Sequence, residues 1–327
     1  MRGCALHPNH AGMSQNGPVS LPLRTYSWCS RPVRRVGSPR RFPIWAGKGR
    51  DSDTGPRRST LMPTLADKAP TCVVRGLSFD ALATALVRGR ATVFTLNMMH
   101  MRLLSRDPEF RESYRRASIV TLDSNLLNTC FLRRRMTVAT GSDLVQHLSA
   151  KNSLRDRSIL VIGNVTREEA GAVMATRHLE VVRPPFGFIR DPAAVEAVIA
   201  RVREAAPDVV FIAVGAPQSE MLALRLRRAG LLAPSILCCG AAFEFVLGKQ
   251  TRSPVWLRRT GLEWAWRLAS DPRRLAGRYA SDAGFMLSML GPLARLARSG
   301  AMKVGGLQLQ FRQEASAGIG RGVLGGG

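Results

Sequence analysis

The residues with the clearest chemical potential stand directly after short apolar runs of the chain. Thr95, Asn97 and His100 close the run at 91–96 and bring a hydroxyl, an amide and an imidazole together. Asp123 follows the run at 118–122, and a carboxylate at the end of a parallel strand is well placed to act as a general base. The alternative is a helix N-cap or turn residue, because Asp-Ser-Asn is also turn chemistry.

Three later turns could hold a phosphate, a nucleotide or a sugar. A glycine at a strand-to-helix turn lets a ligand approach the backbone, although Glu220 could equally serve to complement a helix dipole. The chain has neither G-x-G-x-x-G nor a P-loop, so none of these turns is a specific nucleotide motif. The donor-binding candidates are Gly163, Asn164, Gly215, Pro217, Gln218, Glu220, Gly240 and Glu244.

The elements that must position these residues alternate along the chain. Short β-branched runs are predicted as strands, and amphipathic stretches between them are predicted as helices. This alternation predicts an α/β fold, a Rossmann-like and mostly parallel sheet with helices on both faces. Ligands bind such sheets beyond the carboxyl ends of the strands, where the polar candidates lie. The predicted strands are 91–96, 118–122, 158–163, 179–182, 209–214 and 236–239.

Composition limits the class of protein. The 327 residues are 45% hydrophobic, and 48 Lys+Arg against 23 Asp+Glu give a net charge of +25. The surface therefore favours polyanions, and the candidate partners include nucleic acid, anionic lipid and phosphorylated small molecules. The six cysteines have no CxxC spacing, so they read as reduced thiols in a cytoplasm rather than zinc ligands. We find no secretory signal and expect no membrane-spanning helix.

The chain divides into four zones by composition. Residues 1–68 are rich in Pro, Gly, Ser and Arg and are predicted to be a disordered basic extension. A basic arm and a true start at Met62 are the alternatives. The α/β core is expected at 69–248, a basic amphipathic helical appendage at 249–312 and a disordered tail at 313–327. Arginines interleaved with tryptophans in the appendage are typical of helices on an anionic surface, the alternative being a solvated helix pair.

The order of several short motifs resembles the WecG/TagA/CpsF bacterial glycosyltransferases, glycosyltransferase family 26. Single motifs are weak, and their ordered occurrence over residues 73–279 is specific. The motifs are Thr-x-Asn-x-x-His, the Asp, Gly-Ser-Asp, Gly-x-Pro-x-x-Glu, Gly-Ala-Ala-Phe-x-Phe, Arg-x-Pro-x-Trp, Gly-Leu-Glu-Trp-x-x-Arg-Leu and Pro-Arg-Arg-Leu.

The resemblance implies an inverting, metal-independent transferase that needs no cofactor. Such enzymes move a sugar from a UDP-sugar to a polyprenyl-diphosphate-linked acceptor, at the inner face of the plasma membrane, in the synthesis of cell-surface polysaccharide. The family's catalytic Asp falls on Asp123, and its substrate-site Thr and Asn fall on Thr95 and Asn97. Its arginine-rich appendage, which reaches membrane and diphosphate, falls on Arg252, Arg258, Arg259, Arg273, Arg274 and Arg278.

The diphosphate leaving group needs positive charge. The sequence has one Asp-x-Asp, Asp51-Ser52-Asp53, and it lies in the N-terminal extension. We therefore expect no metal site and assign neutralisation to arginine, whose planar fork suits phosphate oxygens.

Three departures from the family pattern concern the donor sugar. Ser124 follows the Asp where the family has Gly, Gln218-Ser219 replaces Lys-Gln, and a glycine pair is reduced to Gly163-Asn164. N-acetylmannosamine, its uronic acid, glucose and glucuronic acid all stay open as donor sugars. The oligomeric state also stays open, and a homo-oligomer is one of the alternatives.

Two competing classes of protein are a basic nucleic-acid-binding protein and a non-catalytic nucleotide-binding α/β protein. No nucleic-acid-binding motif supports the first, so we expect no nucleic-acid partner.

Overall fold

The computed structural model of the chain describes residues 70–176, 178–249, 253–254, 257, 260 and 263–314. These residues belong to one compact unit, Pro63–Gly327. Several predictions fall outside the described residues. They are the extension 1–68 with its Asp51-Ser52-Asp53, the arginines Arg252, Arg258 and Arg259, and the tail from 315 onward.

Nine strands in the described part of the chain form one sheet, in the order β5-β4-β6-β7-β2-β3-β1-β9-β8. All neighbouring pairs are parallel except β8 and β9, which are antiparallel. The strands are β1 Thr71–Gly76, β2 Thr92–Leu96, β3 Ile119–Leu122, β4 Ser158–Gly163, β5 His178–Val182, β6 Val209–Ala213, β7 Ser235–Cys238, β8 Ala301–Val304 and β9 Leu307–Gln313.

Helices connect the strands, and their first residues carry the expected capping chemistry. Ser78, Asn97, Thr140 and Asp191 each accept a first-turn backbone N–H in their side chain, which satisfies a donor that the helix leaves unpaired. The helices are α1 Phe79–Arg88, α2 Met98–Arg106, α3 Pro108–Arg115, α4 Asn125–Cys130, α5 Gly141–Ala150, α6 Arg167–Val173, α7 Pro192–Ala205, α8 Gln218–Arg228, α9 Ala242–Val246, α10 Glu263–Ser270, α11 Pro272–Ser288 and α12 Leu290–Ser299.

Two hydrophobic cores lie on opposite faces of the sheet. Leu160 and Ile162 of β4 point into the core shared with α2, α3, α7 and α8. Ile159 and Val161 of the same strand point into the core shared with α1, α5 and α6. This alternation follows from the two-residue period of a strand, and burial on both faces explains why these strands read as continuous apolar runs. The predicted fold class is confirmed.

The C-terminal region corrects part of the sequence analysis. Helices occupy 263–299, as expected for the appendage, and residues 301–313 form β8 and β9 instead of helix. β9 lies beside β1 with six residues in register, from Thr71↔Gln308 to Gly76↔Gln313. Gln313, expected in a disordered tail, is therefore the last residue of a sheet strand. Within the described ranges, no helix combines the length and the hydropathy needed to span a bilayer.

Candidate active site

A cavity of about 360 Å³ opens at the carboxyl ends of β2 and β3. The two strands pair in register, Leu96 with Leu122, so the next residues of both, Asn97 and Asp123, leave the sheet side by side. The lining residues are Asn97, Met98, Met99, Asp123, Ser124, Asn125, Leu126, Thr140, Trp264, Tyr279, Asp282, Ala283 and Met286.

Asp123 stands at the base of the cavity and is held there by its backbone. Its N–H donates to the carbonyl oxygen of Leu96 at 2.8 Å, which extends the β2–β3 ladder by one residue. The helix cap that follows is made by Ser124, whose Oγ accepts the N–H of Leu127 at 3.2 Å. The alternative interpretation of Asp123 as the N-cap of this helix is therefore wrong, because its neighbour fills that position.

The Thr-x-Asn-x-x-His motif folds back on itself beside Asp123. Asn97 lines the cavity and caps α2, its Oδ1 accepting the N–H of His100 at 3.2 Å. The carbonyl oxygen of Thr95 accepts two hydrogen bonds, from His100 Nδ1 at 2.8 Å and from Tyr114 Oη at 2.5 Å. Since a carbonyl only accepts, Nδ1 carries the proton. His100 is buried and fixes the backbone before Asn97, and Thr95 is itself buried and is not among the lining residues.

Thr140 enters the cavity from the segment that precedes α5. Val138 makes a parallel bridge with Leu122, and the Ala139 N–H donates to the Leu122 carbonyl at 2.9 Å. Thr140 caps α5 by accepting the Asp143 N–H at 3.0 Å, and its hydroxyl donates to Asp143 Oδ2 at 2.8 Å. Helices α2 and α5 thus both begin at the cavity, and a helix N-terminus carries a partial positive charge.

The opposite wall comes from the C-terminal helices. Trp264 of α10 and Tyr279 of α11 present their rings to the cavity, with centroids 6.3 Å apart. Asp282 of α11 is buried, and its Oδ1 pairs with Arg102 Nε of α2 at 2.7 Å. This ion pair joins α11 to the helix that starts at Asn97, so the wall is fixed against the strand ends.

Gly163 and Asn164 lie at the end of β4 and do not line this cavity. A Cβ at Gly163 would lie 2.7 Å from the carbonyl oxygen of Ala213, its partner in β6. Sheet packing thus demands glycine here, and this differs from the expected approach of a ligand to the backbone. The Asn164 Oδ1 accepts a hydrogen bond from Arg183 at 3.0 Å.

The turn between β6 and α8 and the first turn of α8 carry four of the donor-binding candidates. The space beside Gly215 is open, because a Cβ added there would have no heavy atom of the described residues within 4 Å apart from its own chain neighbours. Pro217 follows a cis peptide bond. The Oε1 of Gln218 is buried and has no hydrogen-bond partner among the described residues. This turn belongs to the same sheet edge as the cavity without lining it.

Glu220 is almost completely buried in the first turn of α8. Its Oε2 accepts a hydrogen bond from Ser219 Oγ at 2.8 Å. Burial raises the pKa of the carboxyl group from 4.5 to about 7, because desolvation penalises the charged form. Glu220 also contributes to the raised pKa values of Tyr114 and Cys238, which burial raises most. Glu220 thus lies in the first turn of α8, as its interpretation as a helix-dipole partner requires, and its burial makes the carboxyl readily protonated.

The remaining candidates are not among the residues that line the cavity. Gly240 follows β7, and Glu244 is half-buried in α9. Arg273 is exposed in the first turn of α11, whereas the side chains of Arg274 and Arg278 on that helix lie outside the described residues. In the described ranges there is no group of three or more His, Cys, Asp or Glu side chains that could hold a metal ion.

Sequence reasoning missed much of the cavity. Thr140 had a local signal, because Thr with Asp three residues later is a helix-start pattern. Asp282, Tyr279 and Met286 had none, since they reach Asp123 only through the packing of α11 on α2.

A mostly parallel α/β sheet with a cavity beyond the carboxyl ends of its strands is the arrangement in which open α/β proteins bind nucleotides and other ligands. Residues 72–299 match the model of the glycosyl transferase WecG/TagA/CpsF family. The match covers most of the chain, so the chain belongs to this family, and the resemblance seen in the sequence is confirmed. The protein is a glycosyltransferase of cell-surface polysaccharide synthesis. Its family uses sugar-nucleotide donors and lipid-linked acceptors.

Proposed function

We propose that the protein transfers a hexose from a UDP-sugar to a polyprenyl-diphosphate-linked acceptor, with inversion and without a metal ion. The observation that carries the proposal is the carboxylate of Asp123 in a cavity between the strand ends and the C-terminal helices. The donor is N-acetylmannosamine, its uronic acid, glucose or glucuronic acid, in each case as the UDP derivative.

Asp123 is the general base in this mechanism. It takes the proton of the acceptor hydroxyl as that oxygen attacks the anomeric carbon of the donor sugar, and the bond from that carbon to the diphosphate breaks. Attack from the side opposite the leaving group inverts the anomeric centre. Asn97 and Thr140 border Asp123 in the cavity and offer an amide and a hydroxyl to sugar hydroxyls.

The UDP part of the donor is assigned to the turn between β6 and α8. Open space above Gly215 and the buried, unpartnered Oε1 of Gln218 support this assignment, since a ligand N–H would satisfy that oxygen. Charge on the departing diphosphate is offset by the N-termini of α2 and α5. Arginines of the C-terminal helices supply the full positive charges, with Arg252, Arg273 and Arg274 as the candidates.

The acceptor is presented at the cytoplasmic face of the membrane. Exposed arginines of α11 and α12, Arg273, Arg295 and Arg298, support a peripheral contact with anionic lipid, to which each nearby cation contributes about 1 kcal/mol. The +25 charge also suits nucleic acid, and membership of a glycosyltransferase family favours lipid.

The test combines a donor screen with a matched pair of variants. Wild-type protein is incubated with each UDP-sugar and a lipid-linked acceptor, with and without EDTA, and product is measured by mass spectrometry. Asp123→Asn keeps the size of the side chain and removes the base, so transfer should fall by about 100-fold or more. Asp191→Asn makes the same change at the cap of α7, where Asn caps as well as Asp, and should leave transfer unchanged.

Three outcomes would contradict the proposal. Wild-type transfer by Asp123→Asn would exclude this base, and loss of transfer in EDTA with recovery on adding Mg²⁺ would exclude the metal-independent mechanism. No product from any UDP-sugar would exclude the donor class.

A further inference from the structure

The two walls of the cavity differ in chemistry. Most of the polar groups lie at the strand ends, with Asn97, Asp123 and Thr140 among them, next to the apolar Met98, Met99 and Leu126. The wall from α11 is mainly apolar, with Asp282 as its one carboxylate among the lining residues. Tyr279, Ala283 and Met286 of that helix lie at spacings of four and three residues, so they occupy one helical face. A ligand that fills the cavity therefore meets polar groups on one side and apolar groups on the other.

The apolar face of α11 does not stop at the cavity. Leu287 follows Met286 and is 65% exposed, and Leu290 lies one turn further and is 54% exposed. Helix α11 ends at Ser288 and α12 begins at Leu290, with Met289 between them. The two helices are closely joined, because the Met289 N–H donates to the Phe285 carbonyl at 3.1 Å and the Met289 carbonyl accepts from Leu293 at 2.8 Å. We name Tyr279, Ala283, Met286, Leu287 and Leu290 the apolar stripe.

Continuity with the cavity distinguishes this stripe from ordinary surface leucines. Single exposed leucines are common and need no explanation, as Leu232 in the loop between α8 and β7 illustrates. The stripe, in contrast, starts at the cavity that contains Asp123 and follows α11 for about 12 Å from Tyr279 to Leu287, at 1.5 Å per helical residue, with Leu290 beyond it at the start of α12. The Arg102–Asp282 ion pair fixes this part of α11 on the core, so the path is preformed.

A ligand that binds along the apolar stripe must match the chemistry of the cavity at one end and of the exposed leucines at the other. Its inner end carries a hydroxyl that reaches Asp123, and its outer end is a linear hydrocarbon that covers exposed leucines. A free sugar or a nucleotide has no hydrocarbon for the outer end, and a protein partner has no need of the cavity. Of the two substrates, the lipid-linked acceptor alone has this chemistry.

Resting on the proposed function, we infer that the apolar stripe binds the hydrocarbon chain of the acceptor next to its diphosphate. The stripe makes chain length a determinant of acceptor affinity, separately from any contact of the protein with bulk lipid. The wild-type enzyme should therefore show a KM for acceptor that falls as the chain grows from a methyl group to about ten carbons, which extend over roughly the 12 Å that the stripe follows along α11. These acceptors are water-soluble, so no membrane is present.

The decisive variant is Leu287→Gln with Leu290→Gln. Both side chains are exposed, so the fold should be unaffected, and loss of their contact should raise the KM for the ten-carbon acceptor by about tenfold. The kcat, and the kcat/KM for the methyl acceptor, should stay at wild-type values. Leu232→Gln changes an equally exposed leucine, 60% accessible, and should leave every value unchanged.

The outcomes separate this inference from the proposed function. If wild-type protein transfers sugar and the double variant treats both acceptors as wild type does, the stripe does not bind the chain. If the double variant instead loses only sedimentation with vesicles that lack acceptor, the leucines contact bulk lipid, and the inference is again wrong. Transfer to no acceptor at all by wild-type protein would overturn the proposed function itself.

Discussion

At the scale of single residues, the most unusual group is the carboxyl of Glu220. Its pKa is raised by burial to about 7 against 4.5 for an exposed glutamate. At a pH between about 4.5 and 7, the carboxyl of Glu220 is protonated in the folded protein and ionised in the unfolded chain. The folded state then binds more protons, so stability must fall as pH rises through this window.

Glu220→Gln should abolish this part of the pH dependence. The amide oxygen can still accept from Ser219, and the side chain no longer ionises. We expect wild-type stability to drop by about 3 kcal/mol between pH 4.5 and 7, and the variant to lack that drop. Thermal unfolding at a series of pH values measures both. The control Glu196→Gln removes an exposed carboxylate from α7 and should follow wild type; an unchanged fall in Glu220→Gln would show that another group is responsible.

At the scale of elements, two of the donor-binding glycines differ in their surroundings. Strand packing requires glycine at one position, and the other position has open space for a ligand. A Cβ at Gly163 meets the backbone of Ala213 in the neighbouring strand, whereas a Cβ at Gly215 meets open space. Gly163→Ala should therefore destabilise the fold by about 1–3 kcal/mol through displacement of β4 from β6. Gly215→Ala should keep the stability and raise the KM for the UDP-sugar, because the new methyl group occupies the proposed donor space.

Denaturant unfolding and donor kinetics, measured on both variants, test this pair. If both variants lose the same free energy of unfolding, the proposed difference between a packed glycine at 163 and an open one at 215 is wrong. Wild-type donor KM in Gly215→Ala would argue that the donor lies elsewhere on the sheet edge.

The same elements show what the sequence could and could not reveal. The strands β2 to β7 were predictable from their apolar runs, which reflect burial on both faces of the sheet in all of them except the edge strand β5. β1, β8 and β9 were not predicted. Arg75 interrupts the first, the second has only four residues, and the Leu-Gln alternation of the third lies in a basic, glycine-rich context. Asp123 and Asn97 were found because ligands bind α/β sheets beyond the carboxyl ends of the strands. Asp282 was not, because its ion pair with Arg102 spans 180 positions and depends on tertiary packing.

At the scale of the whole molecule, charge on the C-terminal helices should control membrane contact. Replacing Arg273, Arg295 and Arg298 by Gln removes three exposed cations, each contributing about 1 kcal/mol at an anionic surface. Partition onto anionic vesicles should fall by about 100-fold at low salt, and added salt should release wild-type protein. Co-sedimentation measures both effects.

The matched control replaces Arg88, Arg203 and Arg228, which are equally exposed on α1, α7 and α8. An equal loss of vesicle binding in the control would mean that net charge, rather than the C-terminal helices, governs binding.

A deletion of all residues after Gly248 cannot replace the arginine substitutions as a test of membrane contact. It also removes β8 and β9 with the buried side chains of Leu307 and Leu309, and the sheet would lose two strands.

The pairing of β9 with β1 also affects how the chain is made. β1 is the first strand of the sheet to leave the ribosome and β9 is the last, with roughly 240 residues between them, so translation separates them by about 10–50 s. Throughout that interval the edge of β1 that will receive β9 has unpaired N–H and C=O groups, which can pair with a neighbouring nascent chain. Chains that terminate early, on truncated messages or at stalled ribosomes, keep this edge open permanently. Such products should require chaperones or proteolysis to keep them from aggregating, although they already contain the Asp123 cavity floor.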